Sequence, residues 1–307
     1  MEFAWKYITE ADETATIDIA RDYMPRFAPL PPTHLYHYTT GETLIRIIES
    51  GKLWSTQIGC LNDTAEVRYA VEELHKRVRA KLENAHQPET EPLFRRLDEV
   101  LATPQLETAG LFIACFSEQK DDLSQWRAYS GGEGGYAIQF DLRRLAKSGL
   151  LAESLLFKVE YDVEKQTLFL DDIIKSAEQH FINCEGRQRA PNLDEWAREF
   201  VEFYLWRIEI FTALLKHPAF MAEKEWRFVY PFRPDDETPL CFRQRQSIMS
   251  RHLPLKLEGK LPITGIVIGP CRYPQLSRTA VADLLKKGGY DPSLCTLEIS
   301  NVPYRVV

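Results

Sequence analysis

A histidine, a set of aromatics, a glycine cluster and a pair of glutamates follow one another along the chain in an order that could serve one site. His37 lies in the short aromatic run Leu35 to Thr39. An imidazole there can hydrogen-bond a sugar or move a proton, although a lone histidine among aromatics is also an ordinary structural residue. Trp126, Arg127 and Tyr129 stand just ahead of the cluster Gly131–Gly135. The aromatics can stack on a planar ligand or fill core. The glycines can cradle a phosphate with backbone N–H groups, or form a tight connection into a strand. Glu223 and Glu225 belong to the run Glu-Lys-Glu-Trp-Arg. Strand alternation puts Glu223, Glu225 and Arg227 on one face and Trp226 and Phe228 on the other. That face is either a carboxylate site or the wet side of an edge strand. Asn62 and Asp63 with Glu66 read as a helix N-cap followed by a first-turn acid.

Several common devices are missing. No GxxxxGK[ST] loop is present, no GxGxxG leads from a strand into a helix, and no HExxH or GxSxG occurs. The six cysteines lie at least 24 residues apart, with no CxxC and no zinc spacing, so no metal site is expected. Cys115 and Cys295 sit in apolar runs, where a thiol behaves as a small hydrophobe. The 307 residues carry a net charge of −7, which gives no chain-wide basic footprint for nucleic acid. Two local basic stretches remain, Arg187–Arg189 and Arg243–His252, each readable as a solvated face or as a groove. A leader pattern and a membrane-length apolar stretch are both absent, so a soluble, cytoplasmic protein with no membrane partner is expected.

The elements that must hold these residues read as an α+β domain. Residues 1–33 form an N-terminal arm, acidic and then proline-rich, and residues 34–307 a single domain. Strands are predicted at Leu35–Thr39 and from Leu53, with a helix over Thr43–Ser50 between them that Gly51 closes as a C-cap. Val67, Val71, Leu74, Val78 and Leu82 mark a long helix, and a second runs from about Pro92 to Leu101. Leu111–Phe116 is a continuous apolar run, read as a central strand covered on both faces. A short helix around Leu123–Tyr129 and strands at Tyr136–Phe140 and Leu155–Tyr161 follow. Two more helices lie near 164–182 and 194–216, the second with Trp196, Phe200, Phe203, Phe211 and Leu215 on its apolar face. Strands at Glu225–Tyr230 and Ile263–Ile268, a helix over Thr279–Lys287 and a strand at Leu294–Ile299 complete the reading. Strands on short turns with helices inserted in groups, near 62–105 and 164–216, argue against a doubly wound parallel sheet.

The motif order resembles that of a widespread bacterial family of uncharacterised proteins, and through it the ADP-ribosyltransferases. The resemblance runs from about Leu35 to Pro270. It is carried by Leu35–Thr39, by Leu61, Asn62 and Asp63 followed by Glu66, and by Cys115–Ser117. It continues through Trp126–Tyr129 with Gly135–Phe140, and from Lys216 through Phe220 to Glu223–Arg227. It implies a split antiparallel β core with inserted helical blocks, whose cleft binds NAD as substrate without a Rossmann unit. On that resemblance His37 bonds the adenosine-side ribose, with Tyr38 and Thr39 beside it. Tyr129 or Trp126 packs on the nicotinamide, with Tyr136 a third candidate. Glu225, or in reserve Glu223, bonds the nicotinamide ribose and polarises the acceptor. Arg127 or Arg227 neutralises the pyrophosphate. This chain departs from the simplest pattern in offering two aromatics ahead of the middle strand and two acids at the third position.

The implied activity is transfer of ADP-ribose from NAD, or NAD hydrolysis, in an intracellular toxin or defence effector. RNA, DNA or protein is the expected acceptor, and a cognate antitoxin a further partner. Two other readings stand beside it. One is a catalytically inactive module of the same fold that binds a ligand or partner. The other is an NAD-independent nuclease or phosphotransferase using His37 with Lys216.

Overall fold

Aromatic and β-branched residues at strand spacing form ten strands among the described residues. These are β1 His34–Thr39, β2 Lys52–Gln57, β3 Leu111–Ser117, β4 Tyr136–Asp141, β5 Leu155–Lys158, β6 Glu225–Pro231, β7 Cys241–Arg245, β8 Ile248–Lys256, β9 Ile263–Ile268 and β10 Thr296–Ile299. This computed structural model describes residues 6–13, 32–61, 64–84, 88–102, 110–129, 134–146, 155–232, 239–245, 248–256 and 259–303. All ten strands join one sheet, antiparallel throughout except for the β9–β10 pair. The α+β class is therefore what the chain adopts, with a largely antiparallel sheet and helices on both of its faces.

Side-chain alternation on β3 and β6 divides the core. Leu111, Ile113 and Val229 turn to one face, against helices Thr64–Glu83, Glu91–Ala102, Val163–Asn183 and Leu193–Thr212. Phe112, Ala114, Phe116, Trp226 and Phe228 turn to the other, against helices Gly41–Ser50, Leu142–Ala146 and Pro274–Lys287. The apolar run at β3 is thus central and covered on both faces, as its composition predicts. The expected apolar face of the helix near 194–216 is buried at Trp196, Phe200, Phe203, Phe211 and Leu215, although the helix itself ends at Thr212.

Helix Gly41–Ser50 shows how local sequence sets the boundaries around the later site. Thr40 caps its start, its hydroxyl accepting from the Thr43 N–H at 3.3 Å. Gly51 ends it at φ 63°, in the left-handed region that glycine enters without strain, and its N–H donates to the Ile47 carbonyl. The chain then turns directly into β2.

Four features differ from the sequence reading. The basic stretch Arg243–His252 falls within the β7–β8 hairpin, with β7 at the sheet edge. The strand expected over Leu155–Tyr161 stops at Lys158, and the helix expected from Thr279 begins at Pro274, which suits a first helical turn. The wet-edge reading of β6 does not hold, because β6 lies between β3 and β5. Of the arm 1–33, Tyr7 and Ile8 are buried in the helical core, and the Asp12 carboxylate accepts from the N–H groups of Glu185 and Gly186 at 2.8 and 3.1 Å. The proline-rich part from Pro25 to Pro31, the expected cap Asn62–Asp63, the Glu66 and Val67 side chains, and Gly131 and Gly132 of the glycine cluster lie outside the described residues.

Candidate functional site

The sheet forks at β3. Along one edge of β3 the whole of β6 is paired, from Leu111↔Pro231 to Ser117↔Glu225. The other edge is shared: β2 meets it at Phe112 and Ile113, and β1 only at Ser117. Between those points the Ala114–Phe116 segment is left without a strand on that edge, and a cavity of about 1050 Å3 opens there. His37 of β1 reaches into the gap, its Nδ1 2.8 Å from the Cys115 carbonyl oxygen. A carbonyl only accepts, so Nδ1 carries the proton in this contact.

One wall of the cavity holds a buried ionic cluster. Lys216 Nζ donates to Glu223 Oε2 at 2.7 Å and to Glu225 Oε2 at 3.0 Å. Arg227 Nε donates to Glu225 Oε1 at 2.8 Å and Nη2 to Glu225 Oε2 at 3.1 Å, while Nη1 is held by the Ala213 carbonyl. The side chains of Lys216, Glu225 and Arg227 are 1%, 5% and 3% exposed, and that of Glu223 12%. Two cations meet two carboxylates, so the buried cluster is neutral in sum, the condition under which such charges persist away from water.

Backbone contacts from several elements fix the cluster. Gln166, on helix Val163–Asn183, donates from one amide to the carbonyls of Glu160 and Lys216 at 2.7 and 2.8 Å, and its Oε1 accepts from the Tyr69 hydroxyl. The 3-10 turn Pro218–Glu223 brings Glu223 back beside Lys216 and ends at Lys224 in the left-handed region, φ 44°. Ser117 Oγ donates to the Glu223 carbonyl at 2.7 Å, and the Glu225 N–H donates to the Tyr161 hydroxyl at 3.1 Å.

Burial works against ionisation of Glu225, but the charges of Arg227 and Lys216, with hydrogen bonds from Arg227 and the Cys115 thiol, outweigh it. They hold this carboxyl down at about 2. Burial, and then the Glu225 charge, push the Cys115 thiol well up, so it is a neutral donor. Burial, and then nearby Cys115 and Glu225, raise the Tyr129 phenol, which stays protonated. The wall therefore offers an ionised carboxylate beside neutral hydroxyl and thiol groups. That combination suits orienting the hydroxyls of a bound molecule, while the carboxylate charge is balanced by Lys216 and Arg227.

The residues given a role from the sequence that line this cavity include His37, Tyr38, Thr39, Tyr129, Lys216, Glu223, Glu225 and Arg227. Tyr38 spends its hydroxyl on the Gln119 carbonyl and the Asp122 N–H. Trp126 is 1% exposed, donates to Asp121 Oδ1 and packs edge-on against Tyr38 with ring centroids 4.6 Å apart. Neither it, the exposed Arg127, nor the half-buried Tyr136 is among the lining residues. Gly135 accepts from the Gly269 N–H at 2.8 Å, so the described end of the glycine cluster ties β4 to the residue after β9.

Sequence reasoning passed over Cys115 as core, did not single out Tyr161, and read Trp54, Thr56 and His252 only as parts of a strand and of a basic stretch. The last three belong to the opposite wall. There Ser250 Oγ and Thr56 Oγ1 sit 2.7 and 3.2 Å from the two His252 ring nitrogens. No local pattern marks them, because their meeting depends on the β2–β8 pairing. Among the described residues no group of three or more His, Cys, Asp or Glu side chains could hold a metal ion, and no helix is long and apolar enough to cross a membrane.

Residues 125–228 match the family described as "Protein of unknown function (DUF2971)". That span begins beside Trp126 and takes in Tyr129, β4, Lys216 and the Glu223–Arg227 cluster, leaving β1, β2, β3 and β7–β10 outside it. No curated protein and no solved structure matches the chain.

Proposed function

We propose that this chain is an ADP-ribosyltransferase-like enzyme that cleaves NAD and passes ADP-ribose to an acceptor or to water. The fork at β3 is then the split of such a β core, and NAD lies across it as substrate. The observation that supports this most is the meeting of His37, Tyr129 and the Glu223–Glu225 pair, from distant parts of the sequence, in one cavity.

In the reaction the bond from ribose C1′ to the nicotinamide nitrogen breaks, and its electron pair leaves with nicotinamide. Positive charge builds on the ribose, as in glycoside cleavage. Glu225, ionised and fixed by Arg227 and Lys216, faces that charge without reorganising, and the Tyr129 ring packs against the nicotinamide. An oxygen or nitrogen of the acceptor, or water, adds to C1′ and gives up its proton, for which Glu223 is the more exposed carboxylate of the pair. His37 holds the ribose at the other end of the dinucleotide.

The test is nicotinamide release from labelled NAD by the wild-type protein, alone and with total cell RNA, DNA and protein. Glu225→Gln should lower release by about a hundredfold or more, while NAD binding measured by calorimetry persists. Binding without release by the wild type would make the chain an inactive module of this fold. Neither binding nor release would reject the reading.

A further inference from the structure

The β7–β8 hairpin stands at the mouth of the cavity and is built unlike a guarded sheet edge. Cys241–Lys256 contains Arg243, Arg245, Arg251, His252 and Lys256 and no Asp or Glu, in a chain where 45 acids outnumber 38 Lys and Arg. The register pairs Phe242 with Arg251 and Gln244 with Met249, so these four side chains share one face. On that face Phe242 is 58% and Met249 67% exposed. The opposite face carries Arg243, Ser250 and His252, the last two fully buried. An edge guarded only against aggregation would carry charge where Phe242 and Met249 stand.

Arg243, on the opposite face, reaches the interior from the other side of β7. It lines the cavity with Phe242, and its Nη1 donates to Thr43 Oγ1 at 2.9 Å on helix Gly41–Ser50, beside Arg46 of the same wall. Phe242 from one face of the hairpin and Arg243 from the other therefore both border the cavity that holds the carboxylate cluster.

We propose that this face of the hairpin binds single-stranded nucleic acid and leads it into the cavity as the acceptor. A base stacks on Phe242, a contact that tolerates any sequence because every base has a π-face, and Met249 extends the apolar platform. Arg251, directly across the strand pair from Phe242, takes a flanking phosphate, and Arg243 takes the next toward the interior. The acceptor role rests on the NAD reading; the binding does not.

The experiment is fluorescence anisotropy with a fluorescein-labelled single-stranded RNA of about 12 nucleotides, within the usual footprint of such platforms, over a salt series without NAD. Wild type should bind with an affinity that falls as salt rises. Phe242→Ala should weaken binding about tenfold. Arg251→Glu should weaken it at least as much and flatten the logarithmic salt dependence by about 0.7. Arg95→Glu, on the exposed face of helix Glu91–Ala102, should leave it unchanged. Melting curves of each variant confirm that a loss is local. No binding by wild type, equal binding by Phe242→Ala and Arg251→Glu, or displacement of the RNA by an acidic peptide at equal concentration would overturn the proposal. Binding with this mutational pattern in a protein that releases no nicotinamide would sustain the nucleic-acid site and reject the NAD reading.

Discussion

Glu225, Arg227, Lys216 and Glu223 are within hydrogen-bond reach of their partners in a wall nearly closed to water, so removing one charge strands another. Arg227→Met leaves Glu225 with Lys216 alone and should cost about 3–5 kcal/mol, read from the urea midpoint. Adding Glu225→Leu should restore part of that loss, because the two changes share one interaction and will not add. The pH dependence has a definite sign. Glu225 has its folded pKa at about 2 against an ordinary 4.5, so its contribution is complete above 4.5 and is lost as pH falls toward 2. Urea midpoints of wild type should drop across that window, and those of Glu225→Gln should drop less. Alternation alone placed Glu225 and Arg227 on one face, and that much was readable from the sequence. Their burial was not, because a polar strand face looks the same whether it meets solvent or a polar cavity. The bond of Lys216 to both carboxylates depends on the turn after helix Leu193–Thr212, which no periodicity describes.

At the level of elements, Gly269 joins the end of β9 to the start of β4. A Cβ there would lie 2.8 Å from the Gly135 carbonyl oxygen and 2.9 Å from the Trp126 ring. Gly269→Ala should therefore cost about 1–3 kcal/mol and shift tryptophan fluorescence, since Trp126 is the group displaced. Helix Val163–Asn183 begins at Asp162, whose carboxylate accepts from the N–H groups of Glu164 and Lys165 at 2.9 and 3.1 Å. Asp162→Ala should cost about 1 kcal/mol by denaturant titration. Elements with a strong apolar period were legible, from β3 to the helical block with its aromatic stripe. The β7–β8 hairpin was not. Its sequence does alternate, but one side faces solvent and the other a polar cavity wall, so the contrast that reveals a half-buried strand is weak.

Across the whole molecule, the cavity is lined from β1, β2, β3, β6 and the β7–β8 hairpin. A ligand that spans the fork binds the folded state alone and should raise stability by about 2.7 kcal/mol at a hundred times its Kd. NAD or the RNA probe can each be scored this way, as a rise in Tm with concentration, independently of any catalysis. The two strands that part at β3 are successive in the chain, and the single piece between them is helix Gly41–Ser50. Its ten residues make a rod of about 15 Å at 1.5 Å per residue. Leu44, Ile47 and Ile48 anchor that rod to the core, while Thr43 and Arg46, three residues apart on one side, face the cavity. The helix is thus a rigid crossover that carries two wall residues and three core anchors on one short rod. Lengthening it by one residue would turn everything beyond the insertion by about 100°, so Thr43 and Arg46 cannot keep their places in the wall if an insertion before them is to leave Leu44, Ile47 and Ile48 in the core.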